Sequence, residues 1–224
     1  MRPPKERLTK LLELAAQGAG ARPTLARELS DVLLDWPSDY SESAKLPFET
    51  LLEKTLRDVD RETRAAIAGR FLQRTDASVD LLNELFFSAT VEMKEAIIAR
   101  NAGPGRKEHA APEFDEATLL ALARRDPQRL QDALATALGV LPETAEEILS
   151  DVSGQSLAVA CKGAKAGRAT FSAVAVLCDK TRAAEDSYLR LASFDGIPQG
   201  AAERILASWR VHAAAASLSE AAAE

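Results

Sequence analysis

A pattern of leucines, arginines and small apolar residues occurs twice in the chain, with an offset of 30 positions. The first copy contains Leu51, Leu52, Leu56, Asp58, Arg64, Ala66, Ile67 and Arg70. The second copy contains, in the same order, Leu81, Leu82, Phe86, Ser88, Lys94, Ala96, Ile97 and Arg100. Each copy has the pattern of two helices joined by a turn, and each is too small to bury its apolar face alone. Because such units stack on their neighbours, the repeat predicts a helical solenoid segment.

The composition agrees with an all-α fold. The chain has 224 residues, of which 46% are hydrophobic and only 5% aromatic. Alanine is abundant, and Arg outnumbers Lys by 19 to 9. Alanine favours helices, whereas strands are enriched in aromatic and β-branched residues. The sequence therefore predicts closely packed helices, and the length is ample for a hydrophobic core.

Charge and targeting signals indicate a protein of the cytoplasm without a membrane span. The net charge is -6, and the two signs are interspersed along the chain. A cationic stripe for nucleic acid or anionic lipid does not emerge from this pattern. The amino terminus has no signal-peptide core, and the longest uncharged apolar run, residues 169–178, is far too short to span a bilayer. Neither cysteine, Cys161 or Cys178, belongs to a metal-binding or disulfide pattern.

Helical signals fill the first hundred residues. We expect one helix from Lys5 to Gln17, with Leu8, Leu11, Leu12 and Ala15 on its apolar face, and a second beginning at Pro23. Residues 36–47 are then predicted to form a long connection, with the third helix beginning at Pro47. Asp60 is placed to cap the fourth helix, and Thr90 to cap the sixth.

The pattern Asp58-x-Asp60-x-x-x-Arg64-x-Ala66 between leucine-rich helices resembles a HEAT repeat. Residues 8–101 are similar, more specifically, to a bacterial HEAT-like family that is catalogued as a domain of unknown function. The resemblance implies that the turn Asp and the Arg of the second helix tie successive units together, and it implies no activity. The matching stretches are Leu11-Leu12-Glu13-Leu14-Ala15, Arg27-Glu28-Leu29-Ser30-Asp31-Val32-Leu33 and Leu56-Arg57-Asp58-Val59-Asp60-Arg61-Glu62-Thr63-Arg64.

The second copy departs from this motif, with Ser88 in place of the Asp and Lys94 in place of the Arg. Glycine, proline and charged residues at 102–111 then predict a linker. The fold we expect is all-α, with a HEAT-like α-solenoid, or α-α superhelix, over residues 1–101. It continues into a C-terminal helical bundle over residues 112–224, where helix starts are predicted at Asp126-Pro127 and Leu141-Pro142.

No catalytic, metal-binding or cofactor-binding arrangement can be assembled from these residues. His109 and His212 have no partner at the spacing of a catalytic triad or a metal site. The two cysteines share helix faces with apolar residues, which predicts buried thiols. Trp36 and Trp209 are expected at the edges of the core. The sequence thus favours a non-enzymatic scaffold that binds another protein.

The predicted partner surface lies on the second helix of each repeat copy. At 100° per residue, part of each helix points away from its core, and the two arginines there can bind carboxylates. The predicted partner-binding residues are Glu62, Arg70, Gln73, Glu92 and Arg100. Small residues at 66, 69, 96 and 99 are expected to let a partner approach closely. The alternative is a nucleic-acid-acting protein that resembles a HEAT-like DNA glycosylase, which would require a continuous Lys/Arg track on this surface.

Overall fold

The protein is all-helical in its computed structural model, which describes residues 5–37, 41–102, 116–125, 127–178 and 192–221. These residues include no β-strand, as the sequence predicts. The helices are α1 (Lys5–Ala16), α2 (Arg22–Leu34), α3 (Glu42–Leu56), α4 (Arg61–Leu72), α5 (Val79–Glu84), α6 (Val91–Asn101), α7 (Glu116–Arg125), α8 (Pro127–Leu138), α9 (Pro142–Ser150), α10 (Gln155–Gly163), α11 (Arg168–Cys178) and α12 (Gln199–Ala221). Two 3₁₀ turns, Ala19–Ala21 and Phe86–Ser88, and a short helical segment at 192–196 complete the described part.

The chain divides into two compact units, Met1–Met93 and Lys94–Glu224. The division falls within α6. The predicted linker lies almost wholly outside the described residues, of which only position 102 belongs to it. The linker and the domain limits 1–101 and 112–224 therefore remain predictions. No described helix has the length and apolarity that crossing a bilayer requires.

In the first unit, α2 packs against α1, α3 and α4, and α3 and α4 both pack against α5. The predicted apolar positions of α2 are all buried, and so are most of those of the two repeat copies, but Leu51 is 38% exposed. The buried residues predicted in this unit are Leu25, Leu29, Val32, Leu33, Leu52, Leu56, Ile67, Phe71, Leu82 and Phe86. Helical periodicity alone therefore identified this core.

Three helix caps agree with the sequence. Asp60 accepts a hydrogen bond of 2.8 Å from the Thr63 amide at the start of α4. For α5 the sequence leaves Ser78 or Asp76 as the cap, and Ser78 takes this place. The Thr90 hydroxyl accepts a bond of 3.3 Å from the Met93 amide in α6. Each cap satisfies a backbone donor that lacks a partner inside its helix.

Two details of the first unit contradict the sequence-based expectations. Helix α3 begins at Glu42, and Pro47 lies inside it. The cause is Ser41, whose hydroxyl accepts a bond from the Ala44 amide and starts the helix before the proline. Because Pro47 has no N–H, the carbonyl of Ser43 lacks its donor within the helix. Ser43 is exposed, so water can bind this carbonyl. In α1, Leu11 is buried, but Leu12 is 72% exposed and Ala15 is exposed as well.

In the second unit, α10 is almost entirely buried and packs most extensively against α12. Small residues permit this close approach. A Cβ atom on Gly163 would lie only 2.6 Å from the Ala202 carbonyl oxygen, so glycine is required there. The Glu116 carboxylate of α7 accepts hydrogen bonds from the Gly167 amide and the Thr170 hydroxyl, and this caps α11.

The predicted helix starts and core positions of this unit are largely confirmed. Pro142 begins α9, as predicted, whereas Trp209, which was expected at the edge of the core, is fully buried within it. The sequence also predicts a short helix from Thr181 to Ala192, and this segment, apart from position 192, lies outside the described residues, as does Asp126. Leu120 and Leu149, also predicted as apolar positions of α7 and α9, are half-buried, and the side chain of Leu122 lies outside the described ones. The other predicted apolar residues of α7, α8 and α9 are buried, namely Leu119, Leu130, Leu134, Leu138, Ala145 and Ile148.

Candidate functional site

Three polar contacts hold α4 against α2 along its whole length. Near its start, the Arg27 Nη2 donates to the Thr63 Oγ1 over 2.9 Å. In its last turn, Arg70 Nη2 donates to Asp31 Oδ1 over 2.6 Å. Just beyond its end, the Arg74 guanidinium donates to the Leu34 carbonyl oxygen over 2.8 Å. Side chains from two sequence-distant helices therefore fix the orientation of α4.

The predicted residues of α4 lie on the surface of the first unit. Glu62, Arg70 and Gln73 are exposed, and all three fall within about 80° of the helix circumference at 100° per residue. Arg70 is already paired with Asp31, but 46% of its side chain remains exposed. Asp31 therefore orients the guanidinium of Arg70, and the remaining N–H donors of this group can bind a second acceptor.

Gly69 is less open than the sequence suggested. It is only half-exposed, and a Cβ atom placed on it would lie 3.0 Å from the Met93 methyl group. The small side chain at position 69 therefore accommodates Met93 of the same unit. Ala66 is exposed, as expected.

The predicted residues of α6 belong to different units. Glu92 lies in the first unit and is exposed, as is Ala96 of the second. Hydrogen bonds from its own backbone amide and from the Thr90 hydroxyl hold the pKa of Glu92 below its usual value. Arg100, in the second unit, is half-buried.

A buried ion pair occupies the repeat position of Lys94. Lys94 Nζ lies 2.7 Å from Asp151 Oδ2, and the two side chains are only 2% and 5% exposed. The Asp151 carboxylate also accepts bonds from the Ser156 amide and hydroxyl, at 2.9 and 2.6 Å, and from the Ser153 hydroxyl. The pair links α6 to the turn between α9 and α10.

The charge state of this cluster follows from its partners. Burial alone would raise the pKa of Asp151, but the positive charge of Lys94 and the bonds from Lys94 and Ser156 outweigh burial and lower it. Asp151 is therefore an ionised acceptor whose bonding capacity is largely used within the protein. Such an arrangement stabilises a fold, and its burial leaves no room for a substrate.

The other candidate groups are two cysteines, two histidines and Trp36, of which the structure describes only part. Cys161 is fully buried in α10, as predicted, whereas the side chain of Cys178 lies outside the described ones. His109 and the side chain of His212 also lie outside the described part. Within that part, no group of three His, Cys, Asp or Glu side chains is arranged to hold a metal ion. Trp36 is half-buried and packs edge-on against Phe48 at 5.4 Å, consistent with a place at the edge of the core.

The acidic partners of Arg70 and Lys94 were not predicted from the sequence. Asp31 is four residues before Asp35 on the polar side of α2, and Asp151 ends α9, so each resembles an ordinary solvated carboxylate in sequence.

No family model matches this chain, and neither the curated proteins nor the solved structures contain a match to it.

Proposed function

We propose that the protein is a non-enzymatic adaptor that binds a partner protein through the exposed side of α4. The arrangement of α2 and α4 supports this proposal. These are the second helices of two successive predicted hairpins, and the three polar contacts hold them side by side. In HEAT-like solenoids, to which residues 8–101 are similar, neighbouring second helices form an extended binding surface.

The charge pattern of the first unit favours a protein partner over a nucleic acid. In the described part of this unit, several basic side chains, most of them exposed, lie within ion-pair distance of a carboxylate, so charges of both signs lie together on its surface. A nucleic-acid-binding protein needs a continuous cationic track to displace counterions from phosphates. A surface of mixed sign is suited to a protein with complementary charges. The pairs are Arg7–Asp35, Lys10–Glu28, Arg22–Asp58, Lys45–Glu49, Arg70–Asp31 and Arg74–Asp76.

Arg70 is the central group of the proposed surface. Asp31 orients its guanidinium, so less side-chain entropy is lost when a partner carboxylate binds. Glu62 precedes Arg70 along the helix and Gln73 follows it, and both lie on the same side of Arg70 around the helix, where they add a carboxylate acceptor and an amide. We expect a partner segment that presents an acidic side chain to Arg70 and a donor to Glu62.

Charge reversal at Arg70 should abolish capture of the partner. In Arg70→Glu the new carboxylate repels both Asp31 and the partner's acidic group. Because the Arg70–Asp31 pair is nearly half exposed, its loss should cost at most about 1 kcal/mol of unfolding free energy. The measurement is recovery of the partner on immobilised protein from a native-host extract, quantified by mass spectrometry. The same reversal at Arg100, made as a separate variant, tests the second predicted arginine.

Arg61→Glu is the matched control. Arg61 is exposed on the same helix, nine residues before Arg70, and so points about 180° away from it. Arg61→Glu should retain capture. Equal recovery by the wild-type protein, Arg61→Glu and Arg70→Glu would exclude this side of α4 as the binding surface.

A direct binding measurement separates the adaptor from a nucleic-acid-acting protein. We expect no saturable binding of a short fluorescent duplex DNA at low ionic strength, where nonspecific binding is strongest. Fluorescence anisotropy checks this. Saturable binding that weakens steeply with added salt would favour the nucleic-acid function over the adaptor.

A further inference from the structure

The second unit contains a cavity that the proposed adaptor surface does not use. It has a volume of about 650 Å³ and lies between α8, the start of α9 and the end of α12. Gly139, with φ of 67°, reverses the chain between α8 and α9 and so forms one side of it. Ala135, Val140 and Ala213 provide apolar wall, and their short side chains leave the space open. The cavity is widely open to solvent.

Arg210 is the cationic group that lines the cavity. Its Nε donates to the Leu138 carbonyl oxygen over 2.7 Å. Its Nη2 is buried and has no hydrogen-bond partner within the described part of the chain. Partial burial lowers the pKa of Arg210, but a guanidinium stays protonated in proteins. A partly desolvated positive charge is therefore balanced by a single neutral acceptor, whereas such cations usually have an anionic partner.

A second charged residue limits the class of anion. Asp132 lines the same cavity, and no ion pair joins it to Arg210 in the described structure. Its negative charge repels a dianion such as a phosphate monoester more strongly than a singly charged carboxylate. The apolar wall favours a ligand with a hydrocarbon body.

We propose that this cavity binds a small aliphatic monocarboxylate. The carboxylate accepts hydrogen bonds from the Arg210 guanidinium at one end of the site. The hydrocarbon chain lies against Ala135, Val140 and Ala213. Binding gives Arg210 the anionic partner that the protein itself does not supply, and it removes apolar surface of ligand and protein from water.

The test uses the full-length protein and sodium hexanoate as the probe. Two-dimensional amide NMR should show saturable shifts for Ala135, Val140 and Ala213. Arg210→Gln keeps a donor but loses the charge, and should weaken binding about ten-fold or more, as expected for a charged hydrogen bond. Asp132→Asn should tighten binding several-fold. Hexanol and hexylamine, which lack the carboxylate, should give no saturable shifts at these residues.

Two further variants keep the test decisive. Ala213→Leu fills the cavity while it retains Arg210, so it should also weaken hexanoate binding, even if Arg210→Gln fails to fold. Arg204→Gln changes another arginine of α12 that does not line the cavity, and should bind as the wild-type protein does. Shifts that do not saturate, or equal affinities for the wild-type protein, Arg210→Gln and Ala213→Leu, would overturn the proposal.

Discussion

Replacing Lys94 with methionine should lower the unfolding free energy of the second unit by about 3–5 kcal/mol, the usual cost of removing one partner of a buried ion pair. Methionine fills a similar volume, so the loss arises from charge and not from a void. The Asp151 carboxylate would stay buried without its cation, and its solvation by Ser153 and Ser156 alone is incomplete. Urea unfolding monitored by circular dichroism measures the loss.

The pH dependence of this loss identifies its cause. In the wild-type protein the pKa of Asp151 is lowered, so its contribution to stability is complete above the carboxyl's ordinary pKa and is lost as pH falls below it. In Lys94→Met, burial without a cation should raise that pKa instead. The difference between the two proteins should therefore shrink from about pH 7 to about pH 4, as the buried carboxyl of the variant becomes protonated.

Two variants control for other effects of the substitution. Lys165→Met removes a lysine that is 60% exposed in the same unit, and should change stability by less than about 1 kcal/mol. Lys94→Met combined with Asp151→Asn removes both charges and should recover part of the loss. A loss in Lys94→Met no larger than that in Lys165→Met, or one independent of pH, would contradict the account of the buried pair.

Phe71→Ala should destabilise the first unit by about 3–5 kcal/mol, through lost burial and the cavity left behind. Phe71 is 4% exposed and lies on α4 with the buried Ile67 and Ala68. Its helix packs against α2, α5 and the Phe86–Ser88 turn, so three segments border the void. The midpoint of thermal unfolding of this unit should fall by about 10 °C or more.

Leu12→Ala is the matched control for this cavity. Leu12 is also a large apolar residue of the first unit, but it is 72% exposed, so its truncation should change the midpoint by less than a couple of degrees, about the shift expected for a few tenths of a kcal/mol. If Phe71→Ala shifts the midpoint no more than Leu12→Ala does, Phe71 does not belong to the core.

Features that depend on a residue's own helix could be predicted from the sequence. The buried stripe of α2 follows from a period of 3.6 residues, and Asp60 and Thr90 cap because a short polar side chain precedes a helix. The start of α3 was wrongly predicted at Pro47, because the cap Ser41, six residues earlier, decides where this helix begins. The place of Leu12 on the apolar face was wrongly predicted, because adjacent leucines in a helix point about 100° apart. Periodicity did not show whether Leu11 or Leu12 faces α2.

The polar sites depend on contacts between distant parts of the chain, and sequence patterns do not report these. Lys94 aligns with Arg64 in the repeat, yet its partner Asp151 lies 57 residues further along. Arg70 was correctly placed on the surface, whereas Asp31, 39 residues earlier, was not recognised as its partner. The cavity at Arg210 is lined by residues of three helices, of which α12 is far from α8 and α9 in the sequence. Spatial proximity of this kind requires the tertiary fold.

Hydrogen–deuterium exchange of the protein with and without its captured partner tests the proposed binding surface most directly. Our account predicts that the partner slows amide exchange in α4, residues 61–72, most strongly around Arg70, with no such protection in the Arg70→Glu variant. Amides of α10, which are buried in the second unit, should exchange at the same rate in both states. Protection confined to segments other than α4 would contradict the assignment of α4 as the surface that binds the partner.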